Sequence, residues 1–540
     1  MKLFRRYVPF GAFIVALVLV LTFVPSIATT RGSSATGASG GSGTSGASVT
    51  LLPGQTAPAL PGTFGITIGG VKCGPGVRQI PWSAYAPECI PAWHGSNGGA
   101  TAPGVTGTTI TLSYRMMATS TLNEIYSFLP PTVVGTNPEA ITTLRAFVSV
   151  FNKYFELYGR HVVLKVFTGQ GDTISEVTGQ GQAKAEADAV TAKSLGAFAD
   201  MALADSSPMY IGALANHNVI GFPLMYQQRN SDYLGEEPWI YTPGPDCTKT
   251  DMGLAAMVGN SLAGLDAVYA GDPSYHTKTR SFGVIYNDTP QSAQCYQLLG
   301  SDLGGYHVKP AVVAAYNFSL SNLVSSMTTV MEQMKSAGVT TILDPDEDPV
   351  TPGLFMSVAA ADHYFPEWVM TSSFTGGNID ADAIQRRFSA EAPSEMSHVI
   401  EPGIVSTPAK TQEDYKAFEM GDRGGDPLPT YSLAWAYAPM MILYSALQGA
   451  GPDLTPQNFQ AAFHKITSSA SGGMFGPWTY GPGIADPSAG FQIVYWDPNA
   501  TSNQDGLRGA LKACNGGKMY TFADAGTQLP EHQQLSCFGA

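Results

Sequence analysis

The feature that most constrains this chain is an alternation. From Thr108 onward, short β-branched and apolar runs take turns with longer segments of helical apolar spacing. Thr108–Arg115 reads as a strand, Pro138–Tyr158 as a helix by the apolar spacing of Ile141, Leu144, Phe147, Val148, Phe151 and Phe155, and His161–Phe167 as the next strand. A helix over Gln182–Leu195, a strand over Ala197–Leu203, a short helix over Pro208–Asn216 and a strand over Val219–Leu224 continue the pattern. Such an order predicts a parallel sheet with helices on its faces, because each parallel pair needs a crossover segment.

The alternation then restarts. Ser281–Tyr286, Val308–Tyr316, Thr340–Leu343 and Trp368–Ser372 read as strands, with helices at Pro290–Leu303, Leu320–Ala337 and Pro352–Asp362 between them. The chain therefore holds two α/β units, each with its own sheet. Beyond them come a strand at Gly403–Ser406 and helices at Glu413–Met420, Leu433–Leu447 and Pro456–Ile466. LAWAYAPMMILYSAL (433–447) is apolar on nearly every side, which predicts full burial. MFGPWTYGPG (474–483) and GFQIVYWDP (490–498) read as a hairpin-like strand pair.

The long preamble has a different character. Lys2, Arg5 and Arg6 precede a charge-free, largely apolar run from Val8 to Val24, followed by Ser26-Ile27-Ala28. Basic head, apolar stretch and small residues predict a secretory signal, or an uncleaved anchor, over 1–28. Residues 29–50 are a Gly/Ser-rich linker, a composition that predicts a coil. Gly37-Ala38-Ser39-Gly40-Gly41 in that tract matches G-x-S-x-G by spelling only, since no strand precedes it.

Export suits the cysteines. Cys73/Cys89, Cys247/Cys295 and Cys514/Cys537 are sequence neighbours, and proximity predicts three disulfides. No pair has the close spacing of a zinc knuckle. Residues 51–102 thus read as a disulfide-stapled extension, with Trp82 a candidate contact surface for a partner. The net charge of −14 argues against nucleic acid.

Chemistry is expected where strands run into helices. Ser207-Pro208, Thr289-Pro290 and Thr351-Pro352 each put a capping hydroxyl before a proline at the first helical position. Open parallel sheets bind ligands at these carboxyl ends, where free helix amides favour negative groups. Asp344, Asp346, Glu347 and Asp348 imitate a calcium loop but lack its sixth-position glycine and its final carboxylate, so no metal is expected. Gly169-x-Gly171 lacks the third glycine of a dinucleotide loop, where Ile174 stands. The histidines form no H-E-x-x-H pair, and no cofactor is expected.

The order of elements, the opening PGVTGTTITLSYRM (103–116) and the ending MFGPWTYGPG with GFQIVYWDP resemble the type I periplasmic binding proteins. The nearer resemblance is to the Leu/Ile/Val-type substrate-binding proteins of ABC importers. It implies two interleaved Rossmann-like lobes, of parallel sheets, joined by a three-strand hinge. Lobe one would be 103–236 and 405–470, lobe two 237–404 and 471–510, with a C-terminal extension over 511–540. It implies a monomeric, extracytoplasmic, non-enzymatic solute-binding protein that closes on a small polar molecule (amino acid, amide or organic acid) and meets an ABC permease.

Carried over by position, the ligand contacts would be Ser206, Ser207, Tyr226 and Gln227 on lobe one, Thr289 and Gln291 on lobe two, and Tyr431 as an aromatic cover. Ser372 and Phe374 stand where the family's amino-acid binders generally place an acid for the ligand's ammonium. That departure weakens the case for an α-amino acid. A ligand-sensing ectodomain and, further off, a secreted hydrolase are the rival readings. The second would need a nucleophile and a base within hydrogen-bond reach.

Overall fold

The computed structural model describes residues 56–538, apart from 128–130, 178, 204–205, 224–227, 245, 318–321, 346–349, 372–380, 404–411, 422–423, 469–476 and 504, and gives the backbone alone for Ala381 and Tyr431. The signal or anchor segment, the linker with its G-x-S-x-G match, and Asp346–Asp348 therefore lie outside the described residues.

A small collar comes first. Its two short strands, β1 (Gly65–Ile66) and β2 (Lys72–Cys73), pair antiparallel, and Cys73 is bonded to Cys89. The collar is stitched to the body through buried polar groups. Ser83 Oγ and the Ala84 amide donate to the Glu413 carboxylate at 3.0 and 2.6 Å, Ser468 Oγ donates to the Ala84 carbonyl at 2.7 Å, and the Tyr85 ring packs on Trp478 at 4.3 Å. Trp82 does not form a free contact surface. Its ring meets Tyr154 edge-on at 6.5 Å and lies under the Lys416 ammonium.

The first sheet is wholly parallel, in the order β4-β3-β5-β6. It comprises β3 (Thr109–Met116), β4 (His161–Thr168), β5 (Ala199–Leu203) and β6 (Ile220–Pro223). The crossovers are α1 (Asn137–Tyr154), α2 (Thr173–Val177), α3 (Gln182–Ser194) and α4 (Pro208–Asn216). α1 starts where the sequence says it should: Thr136 caps the Glu139 amide while Glu139 reaches back to the Thr136 amide. Of the apolar stripe read from its spacing, Leu144, Phe147, Phe151 and Phe155 are buried, while Ile141 and Val148 are half-buried at its edges.

The second sheet is larger and mixed, in the order β15-β14-β11-β10-β9-β7-β8, with β16 also on β14. α5 (Cys247–Met257) leads into β7 (Phe282–Asn287), α6 (Pro290–Gly305), β8 (Val312–Tyr316), α7 (Leu323–Ser336), β9 (Thr341–Asp344), α8 (Thr351–Ala361), β10 (Glu367–Met370) and β11 (Val399–Gly403). Those strands are parallel. Cys247–Cys295 joins α5 to α6.

The chain then returns to the first unit. α9 (Glu413–Met420), α10 (Thr430–Ala450) and α11 (Pro456–Phe463) pack on it: Phe151 meets Tyr444 at 5.2 Å and Phe198 meets Phe459 at 5.9 Å. Every residue from Leu433 to Leu447 is buried, as its all-round apolarity predicts. Burial of each large apolar side chain contributes about 1.5–3 kcal/mol. The units are thus interleaved. A short ladder of β12 (Thr467–Ser468) with β13 (Trp478–Thr479) leads back to β14 (Gly490–Thr501), β15 (Arg508–Ala513) and β16 (Tyr520–Thr521). Cys514–Cys537 fastens the end of the chain, whose Leu529 and Leu535 fill the second core.

Two strand expectations are corrected. GFQIVYWDP does not form a hairpin with MFGPWTYGPG. It lies between β11 and β15 as β14, while Trp478–Thr479 pairs with Thr467–Ser468. The strand expected at Gly403–Ser406 is Val399–Gly403, and 404–406 fall outside the described residues.

Candidate functional site

A cleft of about 560 Å³ lies between the two units. One wall comes from α2, α3 and α4 of the first unit: Glu176, Gln182, Pro208, Met209 and Asn216. The facing wall is the β7–α6 junction, Asn287 to Gln291, with Asn317 at the end of β8. The facing wall is a strand carboxyl end and a helix start, and the first wall adds the starts of α3 and α4 with Asn216 at the end of α4, so the fold aims polar groups from both units at one space.

The junctions are built as the sequence suggests, with one exception. Ser207 Oγ accepts from the Tyr210 amide at 3.0 Å and Thr289 Oγ1 from the Ser292 amide at 3.3 Å, each before a proline that presets the first turn. Thr351 is not a cap. It is the first helical residue of α8, Val350 holds the cap position without a side-chain bond, and the Thr351 hydroxyl meets Tyr316 Oη at 3.1 Å.

Beneath the first wall sits a buried charge cluster that the sequence did not announce. Arg115, at the end of β3, bonds both oxygens of Glu176 at 3.1 Å and Asp188 at 3.3 Å, all fully or almost fully buried. The Tyr210 ring lies 4.0 Å from its guanidinium carbon. Ser207 Oγ donates to Glu176 Oε2, so the cap of α4 and the ion pair are one network. Bidentate geometry and complete hydrogen bonding let such a buried cluster persist despite desolvation. Asp188 accepts the Gln170 amide and, at 2.9 Å, the Gly171 amide. The glycines of Gly169-x-Gly171 therefore serve this cluster: a side chain on Gly171 would strike Glu176, and one on Gly169 would crowd Arg115 and Asp188. The Gln170 and Gly171 amides bind a carboxylate of the protein's own, where a dinucleotide loop would offer such amides to phosphate, and the Gly169 amide is spent on the Met116 carbonyl.

The connections between the units carry a second buried acidic pair. The Asp246 amide donates to Asp486 Oδ2 at 3.0 Å, and Lys249 Nζ lies 3.7 Å from Asp486 Oδ1 while donating to the Asp486 and Ser488 carbonyls. Asp246 Oδ1 caps α5 by accepting the Lys249 amide, whereas its Oδ2 has no hydrogen-bond partner. Burial first, and the nearby Asp486 charge second, push the Asp246 carboxyl up to about 7; burial likewise raises Asp486. Tyr480 Oη to the Thr242 carbonyl at 2.8 Å and Asn230 to Ala485 at 2.8 Å hold the same two passages together.

No protein-family model matches the chain, and no curated protein matches it by sequence. Solved structures do match. The leucine-, isoleucine-, valine-, threonine- and alanine-binding protein of Brucella ovis, in closed conformation, superposes with a TM-score of 0.53 at 11% identity, over 79% of this chain and 98% of that one. An ABC-transporter substrate-binding protein of Aeropyrum pernix gives 0.52 at 10% identity, over 78% and 100%. A solute-binding protein of an R. palustris ABC transporter, in complex with 4-hydroxybenzoate, gives 0.51 at 12%, over 74% and 97%. This chain has the type I periplasmic binding fold.

In that fold the sequence-derived contact positions separate into three groups. Thr289 and Gln291 line the cleft directly. Ser206 and Ser207 lie just below it, fully buried, and what Ser207 offers the cleft is the Glu176 it bonds. Tyr226, Gln227, Ser372 and Phe374 lie outside the described residues, as does the side chain of Tyr431. Sequence reading missed Glu176, Gln182, Asn216, Asn287 and Asn317. Asn287 was the most recoverable, standing two residues before the Thr289 cap. Among the described residues, no cluster of histidine, cysteine and acids could hold a metal ion, and no helix is long and apolar enough to cross a membrane.

Proposed function

We propose that this chain is an extracytoplasmic solute-binding protein of an ABC importer. It would close its two lobes on a small polar organic molecule, without altering it chemically, and present the closed form to a membrane permease. The carrying observation is the 560 Å³ cleft between the helices of the first sheet and the strand ends of the second, a volume suited to one small ligand. The interleaved connections provide the hinge such closure needs. Thr289 and Gln291 are the proposed lobe-two contacts, joined by Asn287 and Asn317. Ser206 and Ser207 act through the α4 cap. Tyr226, Gln227, Ser372, Phe374 and Tyr431 complete the proposed set from their positions after β6, after β10 and at the head of α10.

The ligand is a neutral or cationic hydrogen-bonding molecule, an amide or amine in preference to an organic acid. The described lining carries Glu176 and Asp288, a hydroxyl and five carboxamides, and neither lysine nor arginine. The cation nearest the floor, Arg115, is already matched by two carboxylates. An incoming carboxylate would meet like charge without a counterion, which weakens binding. Isothermal titration of the purified protein against matched acid, amide and amine series tests both levels. Binding of amides or amines is expected. Binding of acids alone overturns the ligand class and leaves solute binding intact, and silence across all three series from folded protein overturns solute binding itself.

A further inference from the structure

The collar turns its apolar side outward. Phe64, Ile66 and Ile68 stand at alternate positions in and beside β1 and are 81, 53 and 51% exposed, while Thr67 between the last two is only 2% exposed. Gly65, on the inner side, lies against Pro91, leaving no room there for a side chain. Three apolar side chains within five residues are thus turned to water around the two-residue strand β1, with Thr67 packed inward between the last two. That inverts the usual arrangement, and a grouped apolar row on a rigid element marks a contact surface.

The row is rigid. Thr67 N bonds the Val71 carbonyl at 2.9 Å, Ala92 N bonds the Ile66 carbonyl at 2.8 Å, and Cys73–Cys89 closes the collar behind it. Lys72 pairs with Ile66 across the β1–β2 ladder, which places an exposed cation on the face of the row. Glu88, the neighbouring acid, is engaged with the Gly76 amide at 2.7 Å.

We propose that this face lies on a lipid bilayer. Three side chains make a patch far smaller than the roughly 1,200–2,000 Å² of a stable protein–protein interface, but enough for an apolar edge to dip into the headgroup boundary. A lysine beside such an edge suits lipid phosphates, its stem lying along apolar surface with the ammonium outward. The preceding chain supplies the proximity. The apolar run ends at Val24, and the tract from there to Leu60 is mostly Gly, Ser, Ala, Thr and Pro. A bilayer holding that run would be separated from the face by only the 36 residues from Pro25 to Leu60, which keeps the two at high effective concentration.

Phe64→Trp in the full-length chain tests this, because the position is exposed and the change leaves the core untouched. The protein is reconstituted with vesicles of phosphatidylcholine and phosphatidylglycerol carrying brominated acyl chains. Tryptophan placed at Leu507, 56% exposed just before β15, is the control. Quenching of the Phe64→Trp signal at least about threefold greater than that of Leu507→Trp, with a blue-shifted emission, is expected. Equal quenching at the two positions overturns the proposal. So does a Phe64→Trp emission already shielded from aqueous iodide without vesicles, since a second copy of the chain would then be covering the face.

Discussion

Replacing Asp246 with Asn should make this protein more stable at alkaline pH and less sensitive to pH between 4 and 7. The native fold keeps a proton on Asp246 up to about pH 7, whereas the unfolded chain releases it near 3.8. Between those values the native state binds the extra proton, so stability falls as pH rises through the window and is fully present only below it. The difference corresponds to on the order of 4 kcal/mol for one carboxyl. Relaxation around a buried acidic pair reduces the realised figure to about 1–4 kcal/mol. Asparagine keeps the cap, since its side-chain oxygen can still accept the Lys249 amide, and it places no charge opposite Asp486. Thermal melting of wild type and Asp246→Asn at pH 5 and pH 8 is the assay. Asp414 and Glu395, also raised to about 7 by burial, add their own slope to both proteins, so the difference between the two curves isolates Asp246. The variant should melt higher than wild type at pH 8, with the gap narrowing at pH 5. A variant that melts lower at pH 8, or an unchanged gap, would refute the reasoning.

Three further outcomes follow from the packing. Glu413→Ala strands the Ser83 and Tyr437 hydroxyls and the Ala84 amide, and should cost about 2–4 kcal/mol in chemical denaturation while speeding protease cleavage within residues 56–100. Replacing Cys247 and Cys295 together by Ser opens a loop with a sequence separation of 48 and should cost about 4 kcal/mol, read as a lower denaturant midpoint. Arg115→Met leaves Glu176 and Asp188 buried without their cation and should cost about 3–5 kcal/mol; adding Glu176→Gln to it should recover part of the loss in the same assay.

The layout was legible because its signals are local. β3, β4 and α4 follow from residue periodicity and capping within a few positions, and Ser207-Pro208 and Thr289-Pro290 announce their helices directly. What sequence reading lost is long-range. β14 pairs with β11, whose residues lie about ninety positions earlier, so no turn signal marks the pairing. β11 itself contains Glu401 and Pro402, residue types that argue against a central strand; the parallel ladder to β10 uses only Val399 and Ile400, and Glu401 is met by Gln385 at 3.3 Å. The floor of the cleft was invisible for the same reason. Arg115, Glu176, Asp188 and Ser207 come from four elements, and nothing near any one of them specifies the others.

The stitching of Ser83–Tyr85 has a mechanical corollary. Their bonds land on Glu413 at the head of α9 and on Ser468 and Trp478 where the chain leaves the first lobe. Under the proposed function, any pull along the N-terminal chain is delivered to the first unit and to the connections between the units, while the unit carrying Thr289 and Gln291 lies beyond the load. The molecule would work like a clamp bolted down by one jaw, with the opposite jaw left to swing.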